Sequence, residues 1–324
     1  MSQWKQNLWF ALQRPETGTI LGVTLLLFIF IIGSQGLFLS GDNLRAIARV
    51  AAQLGIITVG QALLMIAGEF DLSVGSVFGL AGVLFIVLTK YVSIGLSFVI
   101  VLLIVISIGF LNGCIVFKLK IPSLIATLGS QFIYRGLIYF ATGGFGISLA
   151  PGMKNVSLVK VLGGKLGGDL SNIFIWFILA VIVFNIILTR TRYGNRTFAV
   201  GDEPLSAFSR GVSTVQTKWI AFMICSTLAG LAGIATVCNS GAAHPTLGKE
   251  MELESIASAV VGGVVLTGGS GSIWGAAIGA FFLSTIKSGL ILMGAQPYWF
   301  ITFVGVVLIA AVAVNGLVFT SKRY

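Results

Sequence analysis

The chain is predicted to be an all-α integral membrane protein of about ten transmembrane helices, arranged as two inverted five-helix halves with both termini cytoplasmic. Three observations carry this. Hydrophobic residues fill 56% of the 324 positions and charged residues only 9%, where a soluble domain carries about 25% charged residues; mean hydropathy is +1.03. The apolar residues gather into runs close to the ~20 residues that a helix needs to cross the hydrocarbon core. The 42 glycines are spread through those runs and not gathered into linkers, which suits helices packing closely in a bilayer. Residues 1–324 therefore form one transmembrane domain, with halves of about 1–141 and 172–324, an external loop over 142–171 and a cytoplasmic loop over 189–218.

Taken in order, the first span is 17–36. Lys5 and Arg14 precede a charge-free run from Thr17 to Gly41 that lacks an A-x-A cleavage site, so it reads as a retained helix and not as a signal peptide. The second span, 46–67, stops at Gly68. The third and fourth, 72–89 and 92–117, are divided at Lys90. The fifth, 121–141, starts behind Lys118 and Lys120. The sixth, 172–189, ends at Arg190. The seventh is 218–238. The eighth, 254–267, is short and runs into the flexible TGGSGS. The ninth and tenth, 273–293 and 299–318, lead to Lys322 and Arg323. With the N-terminus inside, the densest basic cluster, Arg190 to Lys218, falls in the cytoplasmic loop, as the positive-inside bias requires.

An odd number of spans in each half makes the halves inverted. A faint repeat agrees: FLSGDNLRAIAR (38–49) precedes the second span and FAVGDEPLSAFSR (198–210) the seventh, followed respectively by Asp71-Leu72-Ser73 and Leu253-Glu254-Ser255. Irregular segments at matching places in two such halves point to a path through the membrane, because broken backbone at depth is tolerated only where protein or a cavity surrounds it. These segments are 68–89 and 250–272.

In GEFDLSVGS, Gly68 to Ser76, Glu69 and Asp71 interrupt the apolar sequence, and acids at such depth need a reason. Asp71 either caps the following helix or, with Ser73, faces permeating hydroxyls. Gln53, Gln61, Asn112, Gln131, Asn239 and Glu254 either bond between helices or line the path. Arg135 and Lys287 are expected to snorkel outward. GxxxG occurs at Gly75/Gly79, Gly109/Gly113 and Gly275/Gly279 as candidate helix-packing faces. Cys114, Cys225 and Cys238 lie in or beside apolar spans with no metal-ligand spacing, and His244 stands in an external loop. No nucleophile–base pair and no metal or cofactor set is visible, so no catalysis is expected. The 20 basic residues form no aromatic-interleaved patch, which excludes nucleic acid as a partner.

The loop Thr189 to Trp219 carries a short helix over Pro204 to Val212, opened by Asp202, Glu203 and Pro204 and closed by Gly211. Such a helix is either a lever for another protein or a solvated loop whose arginines touch anionic lipid.

GEFDLSVGS, PSLIATLG (122–129), TRYGNRTFAVGDEPLSAFSRGV and ELESIASAVVGGVVLTGGSGSIWGAAIGA (252–280) together resemble the permease subunits of bacterial simple-sugar ABC importers, in family order and over nearly the whole chain. The resemblance implies an inner-membrane protein that works with a second copy or close homologue, two cytoplasmic ATPases and an external solute-binding protein, and is embedded in lipid. It implies that the short helix is a coupling helix entering a groove on the ATPase, with Pro204, Ala207, Gly211 and Val212 at its motif positions and Asp202, Glu203 and Arg210 in the same coupling segment. Asp202 and Glu203 replace a glycine and an asparagine common in the family, and Leu205-Ser206 replaces Glu-Ala. Glu69 and Phe70 replace Gly and Ile, so the resemblance supplies no role for Glu69. The chain has no phosphate loop, so ATP hydrolysis belongs to other subunits. The competing readings are an ion-coupled secondary transporter using Glu69 and Asp71, and a permease of a related ABC branch for amino acids or nucleosides.

Overall fold

The computed structural model describes residues 27–166, 170–296 and 298–320. The expected first span falls largely outside them, but its described part is helical over 27–33. After a short 3-10 turn, Leu37–Leu39, come α1 (Gly41–Ile66), α2 (Val74–Leu88), α3 (Ile94–Leu119) and α4 (Ser123–Thr142). The segment that follows holds β1 (Ile147–Ser148), α5 (Ser157–Gly163), β2 (Lys165–Leu166) and β3 (Leu170–Ser171). Then come α6 (Asn172–Arg190), α7 (Arg192–Asp202), α8 (Pro204–Ser209), α9 (Thr214–Ser240), β4 (Ala242–Ala243), α10 (Met251–Val261), α11 (Ile273–Leu292) and α12 (Tyr298–Thr320). The strands only staple loops: β1 pairs with β4 and β2 with β3, both antiparallel.

Among the described residues five helices, α1, α3, α6, α9 and α11, are long and apolar enough to cross a membrane, and α2 and α12 contribute shorter apolar helices. The five long helices share one device at their starts: Ser40, Ser93, Ser171, Ser213 and Ser272 each accept a backbone N–H from the first turn of the helix that follows, satisfying a donor that lipid would leave bare. The layers follow from burial. The apolar windows of α1 and α9 are 83% and 72% buried, those of α3 and α6 only 28% and 22%. Thus α1 and α9 are the centre, and α3 and α6 present Leu103, Leu111, Leu179 and Ile182 outward.

All three GxxxG pairs are packing faces. Gly109 lies against the backbone of Met223 and Gly113 against the ring of Trp219, seating α3 on α9. Gly75 and Gly79 meet the carbonyls of Gly248 and Leu247, and Gly275 and Gly279 meet those of Gly262 and Ser258. A side chain at these glycines has nowhere to go, so the small residues set the spacing of the backbones.

Two expectations are corrected. The eighth span, read as 254–267, is a helix only over Met251–Val261; at 1.5 Å per residue it is about 16 Å long, about half of the hydrocarbon core. Gly263, Gly268, Gly269 and Gly271 have positive φ and unwind the chain beyond it. The Gly269 N–H donates to the carbonyl of Ile66 at 2.9 Å, so the irregular backbone finds its partner at the end of α1. The Gly-Asp repeat also divides: Gly41-Asp42 opens α1, whereas Gly201-Asp202 closes α7. Pro204 causes the difference, holding Glu203 extended at φ −145 and ψ 91 and stopping the helix before it.

Gly279→Leu is expected to lower the melting temperature of the detergent-purified protein by overpacking worth about 1–3 kcal/mol. Gly136→Leu, at a helical position with nothing within 4 Å, is expected to leave it unchanged.

Candidate functional site

Two buried polar junctions lie where helices begin inside the protein. At the first, Gly68 turns the chain out of α1 with φ +84, a left-handed conformation that suits glycine. Glu69 then accepts from Lys218 Nζ of α9 at 2.7 Å, both side chains being 14% exposed. The start of α4 clamps the next residues: the Phe70 N–H donates to Ser123 Oγ at 3.3 Å and the Leu72 N–H to Thr127 Oγ1 at 3.0 Å. Asp71 is fully buried and its Oδ1 accepts from the Ser73 N–H at 2.8 Å and the Ser73 hydroxyl at 2.6 Å. Asn112 Nδ2 on α3 donates to Ser73 Oγ at 2.9 Å and lies 3.4 Å from Asp71 Oδ2, while the Tyr134 hydroxyl donates to Asn112 Oδ1 at 3.2 Å. The Gln61 amide, turned so that its nitrogen faces the Asp71 carbonyl (3.2 Å) and its oxygen the Asp71 N–H (3.3 Å), closes the set.

Gln61, Asp71, Ser73 and Asn112, all read from the sequence as candidates for one path, are therefore brought together, each 0% exposed. They bond chiefly to one another, and Asp71 acts on the backbone just ahead of α2, the cap-like role among its two readings. Tyr134 belongs to the same network and was not singled out in the sequence. A tyrosine in an apolar helix carries no mark beyond its hydroxyl, which a buried site must satisfy.

The second junction lies at the start of α10. Gln131 Nε2 donates to Glu252 Oε1 at 2.6 Å, and Lys287 Nζ on α11 donates to Glu254 Oε1 at 2.8 Å. Arg135 and Lys287 do not snorkel. Arg135 Nη1 donates to the carbonyls of Leu247 (2.8 Å) and Pro245 (3.2 Å), holding 245–247 against α4, and Lys287 turns in to Glu254 with its charge 4.8 Å from the Phe300 ring centre. Inward partners outweigh the outward route because each cation would otherwise leave carbonyls or a carboxylate unpaired inside the protein. Glu252 is a further residue that the sequence reading passed over, although the alternation Glu250, Glu252, Glu254 places it beside the helix start.

Between α1, α10 and α11 lies a cavity of about 540 Å³ whose wall includes Asn43, Gln53, Lys249, Glu254, Lys287 and Ser288. Asn239 sits elsewhere, at the end of α9, where it donates to the Gly163 carbonyl at 2.7 Å and Ser171 Oγ at 3.2 Å and ties down the α5 segment.

The predicted short helix is α8. Pro204 takes its first position, and Ala207, 4% exposed, seats it on the protein. Gly211 turns with φ +80, its N–H donating to the Phe208 carbonyl at 2.9 Å and that of Val212 to the Ala207 carbonyl at 3.0 Å. Asp202, Glu203 and Arg210 are exposed. So are Leu205 (78%) and Phe208 (69%), which the sequence reading did not select although their i,i+3 spacing puts both on one helix face. A second cavity, about 390 Å³, lies between Pro204 and the first junction and is lined by Glu69, Lys120, Ser123, Thr214 and Lys218. Among the described residues no group of three His, Cys, Asp or Glu is placed to hold a metal ion.

Glu69→Gln strands Lys218 and is expected to cost about 2–4 kcal/mol of stability. Lys249→Gln removes only an exposed contact to Glu250 at 3.6 Å and is expected to cost less than about 1 kcal/mol. Thermal unfolding of the two purified variants separates them.

The family described as branched-chain amino acid transport system, permease component, matches residues 43–312, which include both junctions, the cavity and α8. Among curated proteins the chain is similar to the autoinducer 2 import system permease protein LsrC of Salmonella typhi, 32% identical over 308 residues, 94% of this chain and 87% of that one. It is 34% identical to LsrC of Escherichia coli O157:H7 over 308 residues, 94% of this chain and 88% of that one, and the same figures hold for LsrC of Shigella flexneri. No solved structure matches the chain significantly. A match of this extent carries the importer-permease resemblance from motifs to the whole chain: the protein belongs to this permease family, as the bacterial inner-membrane subunit of an ATP-binding cassette importer whose ATP hydrolysis lies in separate subunits.

Proposed function

We propose that this permease passes a sugar or sugar-like solute, delivered by an external binding protein, and that α8 is where cytoplasmic ATPases drive it. The observation that carries the coupling assignment is α8 itself, a six-residue helix with two large apolar side chains, Leu205 and Phe208, held outward and with Ala207 as its seat. Exposed apolar side chains at the centre of a polar surface loop are typical anchors for a partner's pocket. Behind α8, Lys218 of α9 is bonded to Glu69, so a push on α8 reaches the 67–73 turn and the start of α2 through one short ion pair.

The solute class is drawn from the LsrC relatives, which are named for autoinducer 2 import. In this reading the permease works as a pair, with itself or a close homologue. Ten crossings in two inverted halves and cytoplasmic termini remain its preferred topology. The motif α1, turn 67–73, α2 has a counterpart in α9, turn 241–250, α10, and the starts of α2 and α10 abut at Gly75 and Gly248. Asp202, Glu203, Pro204, Arg210, Gly211 and Val212 complete the coupling loop. Gln61, Asp71, Ser73 and Asn112 serve the path by fixing the backbone at its hinge, with Glu254 facing the cavity.

Phe208→Asp and Leu205→Asp are expected to cut autoinducer-2 uptake by tenfold or more, about 1.4 kcal/mol of coupling or greater, with the protein still in the membrane and its ATPase no longer co-purifying. Normal uptake in both variants removes α8 from the mechanism. Uptake that collapses with an uncoupler while ATP is clamped marks an ion-coupled carrier, and leucine uptake in place of autoinducer-2 marks an amino-acid importer.

A further inference from the structure

We infer that the cavity between α1, α10 and α11 is a contact site for an uncharged, hydroxyl-rich solute on its way through the permease; this rests on the importer reading above and adds the place and chemistry of contact. Its volume of about 540 Å³ lies in the ~300–1,000 Å³ range of small-molecule sites.

The charges in its wall are balanced in pairs. Lys287 is 2.8 Å from Glu254, and Lys249 is 3.6 Å from Glu250 at the rim. With Glu254 only 8% exposed and already paired with Lys287, an ion or zwitterion entering here gives up its hydration against a wall whose charges already offset one another. A neutral solute meets none of these costs.

What remains free in the wall suits hydroxyl groups, which both donate and accept. Glu254 Oε2 accepts no hydrogen bond among the described residues, and Lys287 uses one of its three donors on Glu254. The half-buried Gln53 has no side-chain partner among the described residues, so its amide offers a donor and an acceptor. Ser288, by contrast, already donates to Asn43 Oδ1. Few contacts of this kind hold a solute weakly and let it leave.

Single-cysteine forms test this. In full-length permease with Cys114, Cys225 and Cys238 replaced and expressed in its native host, Gln53→Cys and Ser288→Cys are compared with Ile182→Cys on the outward face of α6. The probe is the uncharged, hydroxyl-bearing 2-hydroxyethyl methanethiosulfonate, applied to intact cells and to inside-out vesicles so that both sides are sampled. The expected result is labelling of Gln53→Cys and Ser288→Cys about tenfold faster than Ile182→Cys, because a thiol reacts as its water-stabilised thiolate, with severalfold slowing by autoinducer-2 or ribose. Labelling no faster than at Ile182→Cys, in a variant that still takes up autoinducer-2, overturns the site and leaves the importer reading standing. Fast labelling that no sugar slows also overturns it. Protection by leucine and not by sugars overturns the assigned chemistry and, with it, the solute class proposed above.

Discussion

Burying a carboxyl group inside a membrane protein removes the water that would otherwise satisfy it, so every donor must come from the chain. Asp71 meets that constraint with the Ser73 backbone, the Ser73 hydroxyl and the Asn112 amide, and its own backbone is bracketed by Gln61. The consequence reaches well beyond one side chain. A helix that starts in the interior exposes unpaired N–H groups, and the 67–73 turn is the segment that delivers α2 there. Ser123 and Thr127 of α4 hold the same turn by its backbone. With Lys218 on Glu69, four helices, α1, α3, α4 and α9, are thereby fixed to one loop of seven residues.

The second interior start, that of α10, is held by different chemistry. Arg135 ties 245–247 to α4, Gln131 takes Glu252, and Lys287 takes Glu254. Where the two starts meet, Gly75 and Gly248 allow backbone against backbone, and Gly79 does the same beneath Leu247. Polar groups choose the partners and glycines let them approach. Neither suffices alone, because a side chain at Gly75 would separate the two starts, and loss of Arg135 would leave buried carbonyls without donors. In the proposed mechanism this is also where a push on α8 arrives, by way of Lys218 and Glu69.

The helices themselves were largely legible in the sequence. The long helices within the described residues fall close to where the apolar runs placed them, and Pro204 begins α8 as read, although α8 ends at Ser209 and neither α5 nor α7 was read as a helix. The failures have local causes. Val264-Val265-Leu266 extended the eighth apolar run past Val261, although the glycines after it unwind the backbone. Arg135 and Lys287 looked free to reach outward because hydropathy carries no information about which carbonyl or carboxylate lies across the helix interface. Leu205 and Phe208 were hidden for the opposite reason: in so apolar a chain, two more apolar residues do not stand out until the surface shows them uncovered.

What the sequence determined by itself was the membrane class, the positions of most helices, the short α8 and the small-residue faces. Each of these depends on residues within about one helix length: apolar run length, a capping hydroxyl, a proline, a glycine every fourth position. The tertiary structure alone decided which polar groups meet. Lys218 reaches Glu69 across 149 positions and Gln131 reaches Glu252 across 121. Such pairs arise from how helices far apart in sequence are laid side by side, and a pattern read along one chain contains no such distance.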